Sequence, residues 1–179
     1  MDKKLNNPLG LMKTLLLFFL SLSVPLFAQF QLPTTAPEVP ADQWEAHDDA
    51  GVAAAVLLVP QQKNGKTIYS LKIYIKNIST ANKIFISIAN EGIDPKVFYF
   101  DSSHVQQFLR PLDIFQQVVT KMLNITIPPS GIYTCPINLT DNDLIFVTTH
   151  PIQCSFNIWD ATQSNHWQIT TSPKQFYAQ

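Results

Sequence analysis

An acid, two hydroxyls and a histidine are crowded together at one place in the sequence, Asp101-Ser102-Ser103-His104. These are the groups with which a hydrolase activates a serine through a general base. Catalytic groups of that kind, however, converge through the fold and need not be neighbours in sequence. An aspartate that caps a turn explains the same residues. The pattern therefore predicts a capped turn, and a hydrolase whose triad assembles in space is the third functional hypothesis.

Metal and cofactor chemistry has no clear sequence signal. The histidines are far apart in sequence, and the acidic residues around His47 lack the alternating ligands and central glycine of an EF-hand loop. The chain has no G-x-S-x-G elbow, H-E-x-x-H pair, phosphate-binding loop or dinucleotide fingerprint. We therefore expect no metal, no cofactor and no enzymatic activity. The four histidines are His47, His104, His150 and His166.

Cys135 and Cys154 are the two cysteines of the chain. Their spacing fits neither a C-x-x-C redox pair nor a zinc site. In an exported protein a disulfide is chemically permitted, and this one would close a loop of about 20 residues and contribute roughly 3 kcal/mol. Two buried thiols that pack as small apolar side chains are the alternative. The sequence predicts the disulfide, provided that the two side chains come close enough.

Three aromatic side chains occur near the end of the chain, namely Trp159, His166 and Trp167. Exposed aromatic rings in a cluster are typical of a recognition surface. Aromatic residues at strand ends also pack against the core or its rim. These three residues are the candidate binding patch.

Alternating hydrophobicity is the strongest structural signal. Ile152, Cys154, Phe156 and Ile158 alternate with more polar residues, and Tyr133, Cys135, Ile137 and Leu139 form a second apolar row. A period of two is the pattern of a strand with one buried face. Similar segments recur with turn signals between them, which predicts an all-β, immunoglobulin-like β-sandwich of about seven to nine antiparallel strands. One short helix is allowed within residues 105–121.

The amino terminus has the layout of a secretory signal peptide. Lys3, Lys4 and Lys13 precede an uncharged apolar run, Pro25 follows it, and Ala28 offers a cleavage site. The apolar run is shorter than the roughly 20 residues that a membrane span needs. The predicted organisation is a signal peptide over residues 1–28, a proline-rich acidic linker over 29–49 and a β-sandwich domain over 50–179. We therefore expect a secreted or periplasmic protein without stable membrane insertion.

The charge of the processed chain limits its partners. Cleavage after Ala28 leaves nine basic and twelve acidic residues, a net charge of −3. A mildly acidic surface gives no reason to expect nucleic acid as a partner. A protein or a cell-envelope component is the expected partner.

Two blocks of sequence resemble bacterial immunoglobulin-like domains. The first is residues 69–80, an alternating strand followed by an Asn-Ile-Ser turn. The second is residues 125–134, followed by Phe-Asn-Ile-Trp and Trp-Gln-Ile-Thr-Thr-Ser segments. The layout is similar to that of intracellular-proteinase-inhibitor-type domains and extends from Val52 to Phe176, although residues 105–121 depart from it. The resemblance implies a sandwich that binds another molecule through loops or an edge strand. Protease inhibition is the second hypothesis and rests on this resemblance alone.

Overall fold

A computed structural model of the chain describes residues 32–88, 95–109 and 122–178. The predicted signal peptide, the start of the predicted linker and residues 110–121 lie outside this part of the chain. The described residues form two antiparallel sheets with one α-helix, so the all-β prediction is confirmed.

Ten strands occur in the described residues. In chain order they are β1 (Glu45–His47), β2 (Val52–Lys63), β3 (Lys66–Asn77), β4 (Lys83–Ile88), β5 (Lys96–Phe100), β6 (Gln106–Phe108), β7 (Met122–Ile127), β8 (Ile132–Asn138), β9 (Gln153–Asp160) and β10 (His166–Thr170). The first sheet has the order β1-β2-β3-β8, and the second has the order β6-β5-β9-β4-β7, with β10 also paired to β9.

The hairpin of β2 and β3 organises the first sheet. Its two strands pair over their whole length, from Val52 opposite Asn77 to Lys63 opposite Lys66. Asn64 and Gly65 connect them with φ angles of 53° and 74°. Positive φ at both turn positions is what a two-residue type I′ hairpin requires, and Asn-Gly supplies it at low steric cost. This turn therefore fixes the register of the sheet.

Strand β9 is the centre of the second sheet. One edge of β9 pairs with β10 from Ser155 to Trp159. Two strands pair with the other edge, β5 with residues 153–155 and β4 with residues 158–160. The second sheet is therefore forked, and β5 with β6 forms a branch beside the start of β9.

The core lies between the two sheets. Leu71, Ile73 and Ile75 of β3 are completely buried against Phe156 and Ile158 of β9 and their neighbours. A ring contact of 5.2 Å between the centroids of Phe85 and Tyr133 joins the second sheet to the first. Both predicted apolar rows face this core, with the row on β9 fully buried and the row on β8 partly buried.

The predicted disulfide is wrong in this structure. Cys135 lies on β8 of the first sheet and Cys154 on β9 of the second, and both are thiols. Facing sheets lie about 10 Å apart, so two inward cysteines can form a disulfide only where they lie directly opposite each other. Cys154 is fully buried in the apolar core, and burial raises the pKa of its thiol, with a smaller contribution from Cys135. It packs as a small apolar side chain.

The one α-helix of the described residues follows β8. Helix α1 spans Asp141–Thr149 and begins with a capping box. The Thr140 hydroxyl accepts a hydrogen bond from the Asp143 N–H at 3.2 Å, and the Asp143 carboxylate accepts one from the Thr140 N–H at 3.0 Å. A hydroxyl residue followed three positions later by an acidic one is the sequence signal for this helix start.

The described part of the predicted linker packs against the outer face of the first sheet. Val39 and Trp44 contact Tyr74, which is completely buried although its position on β3 predicts exposure. The Tyr74 hydroxyl donates to the Glu38 carboxylate at 3.1 Å. Residues 32–49 are therefore part of the fold.

Among the residues that the structure describes, no helix is both long enough and apolar enough to cross a bilayer.

Candidate functional site

Three phenylalanines lie together on the outer face of the second sheet. Phe98 and Phe100 alternate on β5 with the core residue Val97, and Phe108 lies opposite Phe98 on β6. The ring of Phe98 has its centroid 5.6 Å from that of Phe100 and 5.9 Å from that of Phe108. These distances are typical of paired aromatic rings. The outward face of this branch is therefore aromatic.

The phenylalanines form part of a recess of about 240 Å³, called here the groove. Side chains from four neighbouring strands line it, and all of them point away from the core by the register of the sheet. The lining residues are Lys96, Phe98, Phe100, Gln106, Phe108, Gln153, Ser155, Gln168 and Thr170.

The polar side of the groove is held in place by hydrogen bonds. The Ser155 hydroxyl oxygen accepts from the Gln168 amide at 3.1 Å and from the Thr170 hydroxyl at 3.4 Å. The Gln153 amide donates to the Thr171 carbonyl at 3.0 Å. Because these groups are already oriented by the sheet, a ligand would meet a preorganised set of donors and acceptors.

Exposure differs among the rings. Phe98 is 3% exposed and forms the floor, whereas Phe100 is 50% exposed. A half-exposed phenylalanine is a large apolar surface to leave in water, and burying it on a ligand is favourable. Phe100 is therefore the ring best placed to contact a bound molecule.

Charge is nearly absent from the lining. Lys96 is the one charged side chain among the nine lining residues, and none of the nine is a carboxylate. Amides, hydroxyls and phenyl rings make up the rest. The groove is therefore suited to hydrogen bonding and apolar contact and has little capacity for ion pairing.

The sequence-predicted patch of Trp159, His166 and Trp167 is divided between two faces. Trp159 and His166 are opposite each other on β9 and β10, on the same outer face as the groove, with ring centroids 6.0 Å apart. Trp167 is on the inner face, packed against the core, and the Lys83 ammonium lies 4.3 Å from its ring centroid. The structure brings two of the three candidates together and separates the third.

The turn at residues 101–104 supports the groove. The Asp101 carboxylate accepts hydrogen bonds from the N–H groups of Val105 and Ser103 at 3.0 and 2.9 Å, and from the Gln107 amide at 2.8 Å. The Val105 bond, followed by that of Gln107, lowers the pKa of Asp101. The predicted capped turn is confirmed, and it reverses the chain so that β6 returns beside β5.

Metal binding has no donor set in the described part of the chain. Within residues 32–88, 95–109 and 122–178, no group of three or more His, Cys, Asp or Glu side chains is close enough to hold an ion. The His150 ring stacks on Tyr99 at a centroid distance of 3.8 Å, and its Nδ1 lies 2.9 Å from the Thr149 hydroxyl.

Sequence reasoning missed the groove, although β5 carried a signal for it. The strand Lys-Val-Phe-Tyr-Phe is apolar on both faces, and a strand at the surface of an antiparallel sheet normally has one polar face. Phe108 lies in the segment that departs from the expected sandwich pattern. The three phenylalanines meet only because β6 pairs with β5.

Comparisons with known proteins identify no family. No protein-family profile matches the chain, and no curated protein matches it. One similar solved structure is described as "X-ray structure of Northeast Structural Genomics Consortium target SoR45". The similarity has a TM-score of 0.38 and 14% identity, and covers 69% of this chain and 83% of that chain.

Proposed function

We propose that this protein is an exported, non-enzymatic β-sandwich module that binds a cell-envelope component through the groove of the second sheet. The basic, apolar and small-residue pattern of residues 1–28 supports export and a secreted or periplasmic location. The resemblance to bacterial immunoglobulin-like domains supports a binding role.

The observation that carries the proposal is the half-exposed Phe100 beside two other phenylalanines on the outer face of the sheet. An aromatic surface rimmed by polar groups marks an interaction site more often than a random surface does. The polar groups around it are held in position by the strand register. Phe100 therefore serves as the anchor of the bound component.

The edges of the first sheet are less suited to this role than the groove. Pro60 lies on β2 and Pro136 on β8. The outer sides of these two strands form much of the edge of the first sheet. Proline lacks the N–H with which an edge strand pairs to an added strand. The proposal therefore places the binding surface on the face of the second sheet.

A sedimentation assay with insoluble envelope material from the native cell tests the proposal. The processed protein should sediment with this material, and Phe100→Asp should reduce the bound fraction by at least about tenfold, because a charge in the groove opposes burial of an apolar contact.

Ile145→Asp is the matched control. Ile145 is 60% exposed on α1, so the variant introduces the same charge at an exposed apolar position away from the groove. It should bind as the parent does. If the parent does not sediment, or if both variants lose binding equally, the proposal is wrong.

A further inference from the structure

We propose that the ligand of the groove is an uncharged oligosaccharide chain of the envelope. This inference rests on the proposed function and specifies its ligand class.

The charge of the lining is the first argument. One lysine and no carboxylate among nine lining residues cannot neutralise a polyanion or a polycation. Nucleic acids and anionic polymers need several cations along the site. The groove is thus matched to a ligand with little or no charge.

The position on the sheet face is the second argument. Backbone N–H and C=O groups lie in the plane of the sheet, where β5 and β9 pair with neighbours on both sides and β10 pairs on its β9 side. An extended peptide is bound mainly through such backbone groups at a sheet edge. A ligand on the face meets side chains alone.

The side chains on that face complement sugar rings. Carboxamides both donate and accept hydrogen bonds, as do hydroxyls. Gln106, Gln153 and Gln168 can therefore donate to, and accept from, the hydroxyl groups of a sugar. The exposed ring of Phe100 offers an apolar plane for the C–H face of a pyranose. Both kinds of surface are present within one recess.

The outer face that carries the groove continues along β9. Asn157, Trp159 and His166 lie on the same outer face beyond Ser155. The distance along the strand from Gln153 to Trp159 is about 20 Å at the rise of a β-strand. An aromatic group is present at each end, with amides between them, so longer oligosaccharides should bind more tightly than shorter ones.

Chemical treatment of the envelope material tests the ligand class even while the particular sugar is unidentified. Periodate cleaves the vicinal diols of sugars, and proteinase K removes protein. Sedimentation of the processed protein should be lost after periodate treatment and should persist after digestion. Binding that survives periodate overturns the inference for chains with free vicinal diols and leaves the proposed binding function intact. The calorimetry below then decides for N-acetylated chains, whose 1,4-linked residues have no such diol.

Calorimetry with defined probes gives an independent test. Neutral gluco-, xylo-, manno- and chito-oligosaccharides, each as dimers to hexamers, are titrated into the parent protein. At least one series should bind, with affinity rising with length, and Phe100→Ala should weaken it by about tenfold. Ile145→Ala is the matched control and should leave the affinity unchanged. Absence of heat with every series overturns the inference.

Salt and Lys96 distinguish an uncharged ligand from an anionic one. Between about 0.05 and 0.5 M sodium chloride the affinity should change by less than about twofold, since no ion pair is screened. Lys96→Ala should also change the affinity by less than about twofold. A steep loss with salt, or a large effect of Lys96→Ala, overturns the assignment to uncharged sugar.

Discussion

At the residue scale, one carboxylate organises the loop between β9 and β10. Asp160 accepts hydrogen bonds from the N–H groups of Thr162, Ser164 and Asn165 at 3.1, 2.9 and 3.2 Å, and from the side chains of Thr162 and Asn165 at 2.9 and 2.8 Å. The loop joins the two strands that carry Ser155 and Gln168 of the groove. Asp160 therefore acts on the site through the hairpin that presents it.

The pKa of Asp160 gives this role a pH dependence. Desolvation raises it, but the hydrogen bonds from Asn165, Thr162 and Ser164 outweigh that effect and lower it below its usual range. A carboxyl group whose pKa is lower in the folded state stabilises the fold above its unfolded pKa of about 3.9. That contribution is lost as pH falls through the folded pKa.

We expect Asp160→Asn to lower the free energy of unfolding at neutral pH, with the difference from the parent shrinking below about pH 4. Urea denaturation across this range measures it. The exposed Asp42→Asn removes the same charge and serves as the control, with little expected change at neutral pH. A difference that stays constant down to about pH 2 would contradict the role of the ionised carboxylate.

The cysteines show what residue patterns can and cannot predict. Alternation correctly placed Cys135 and Cys154 on the inward sides of their strands, because side-chain direction follows from the two-residue period. Bonding depends on where the two sheets face each other, which is a tertiary property. The sequence thus predicted orientation and did not predict the state of the sulfurs.

Alkylation with iodoacetamide reports on that state. Cys154 should resist modification in the native protein, because burial raises the pKa of its thiol and the thiolate is the reactive form. After denaturation without reductant, mass spectrometry should find both cysteines alkylated. Denatured protein that becomes alkylated only after reduction would establish the disulfide and contradict the structure.

At the element scale, the segment before β1 is the clearest departure from sequence-based expectation. Its prolines and acidic residues are typical of a linker, and its few apolar side chains follow no period. Val39 and Trp44 nevertheless cover the outward face of β3 around Tyr74. A strand with an apparently solvated face can be covered by an aperiodic segment distant in sequence, and periodicity alone contains no information about this.

Tyr74→Phe tests the attachment of that segment. The substitution removes the hydroxyl that donates to Glu38 while keeping the ring and its edge contact with Trp44. We expect the free energy of unfolding to fall by about 0.5–1.5 kcal/mol, the usual range for one hydrogen bond. Chemical denaturation at neutral pH measures it.

Tyr177→Phe removes a hydroxyl from a tyrosine that is 76% exposed. It provides a comparison for the general cost of losing a tyrosine hydroxyl. Additional protease sensitivity confined to residues 32–44 in Tyr74→Phe would support attachment through Glu38, and unchanged stability and cleavage would contradict it.

At the scale of the whole molecule, the two-sheet architecture was accessible from sequence because several strands have one apolar face each. The groove was not, because it requires β5, β6, β9 and β10 to be placed side by side. These strands form two pairs, β5 with β6 and β9 with β10, which are separated in sequence by β7, β8 and α1. Their common outer face arises from the forked pairing around β9. Local patterns predict which side chains leave the core, and the topology decides which of them meet.

Prolines interrupt the outer edges of the first sheet. In an antiparallel ladder the N–H groups of successive residues point alternately toward and away from the paired strand. The β2–β3 turn and the hydrogen bond from the Leu139 N–H to the Tyr69 carbonyl fix which positions point away, and Pro60 and Pro136 are among them. The missing N–H groups thus fall on the outer sides of β2 and β8. The Ile132 N–H on β8 instead donates to the Pro33 carbonyl at 2.7 Å, so docked chain covers the start of that edge.

Replacing both prolines should therefore promote self-association. The variant Pro60→Thr/Pro136→Thr restores an outward N–H on each edge, and exposed edges of that kind pair with other chains. We expect sedimentation velocity to show association at a concentration at least about tenfold lower than for the parent. Pro37→Thr, an exposed proline outside the strands, should behave as the parent does. If the double variant also matches the parent, the prolines do not protect the edges, and the docked segment and short β1 are sufficient to prevent edge pairing.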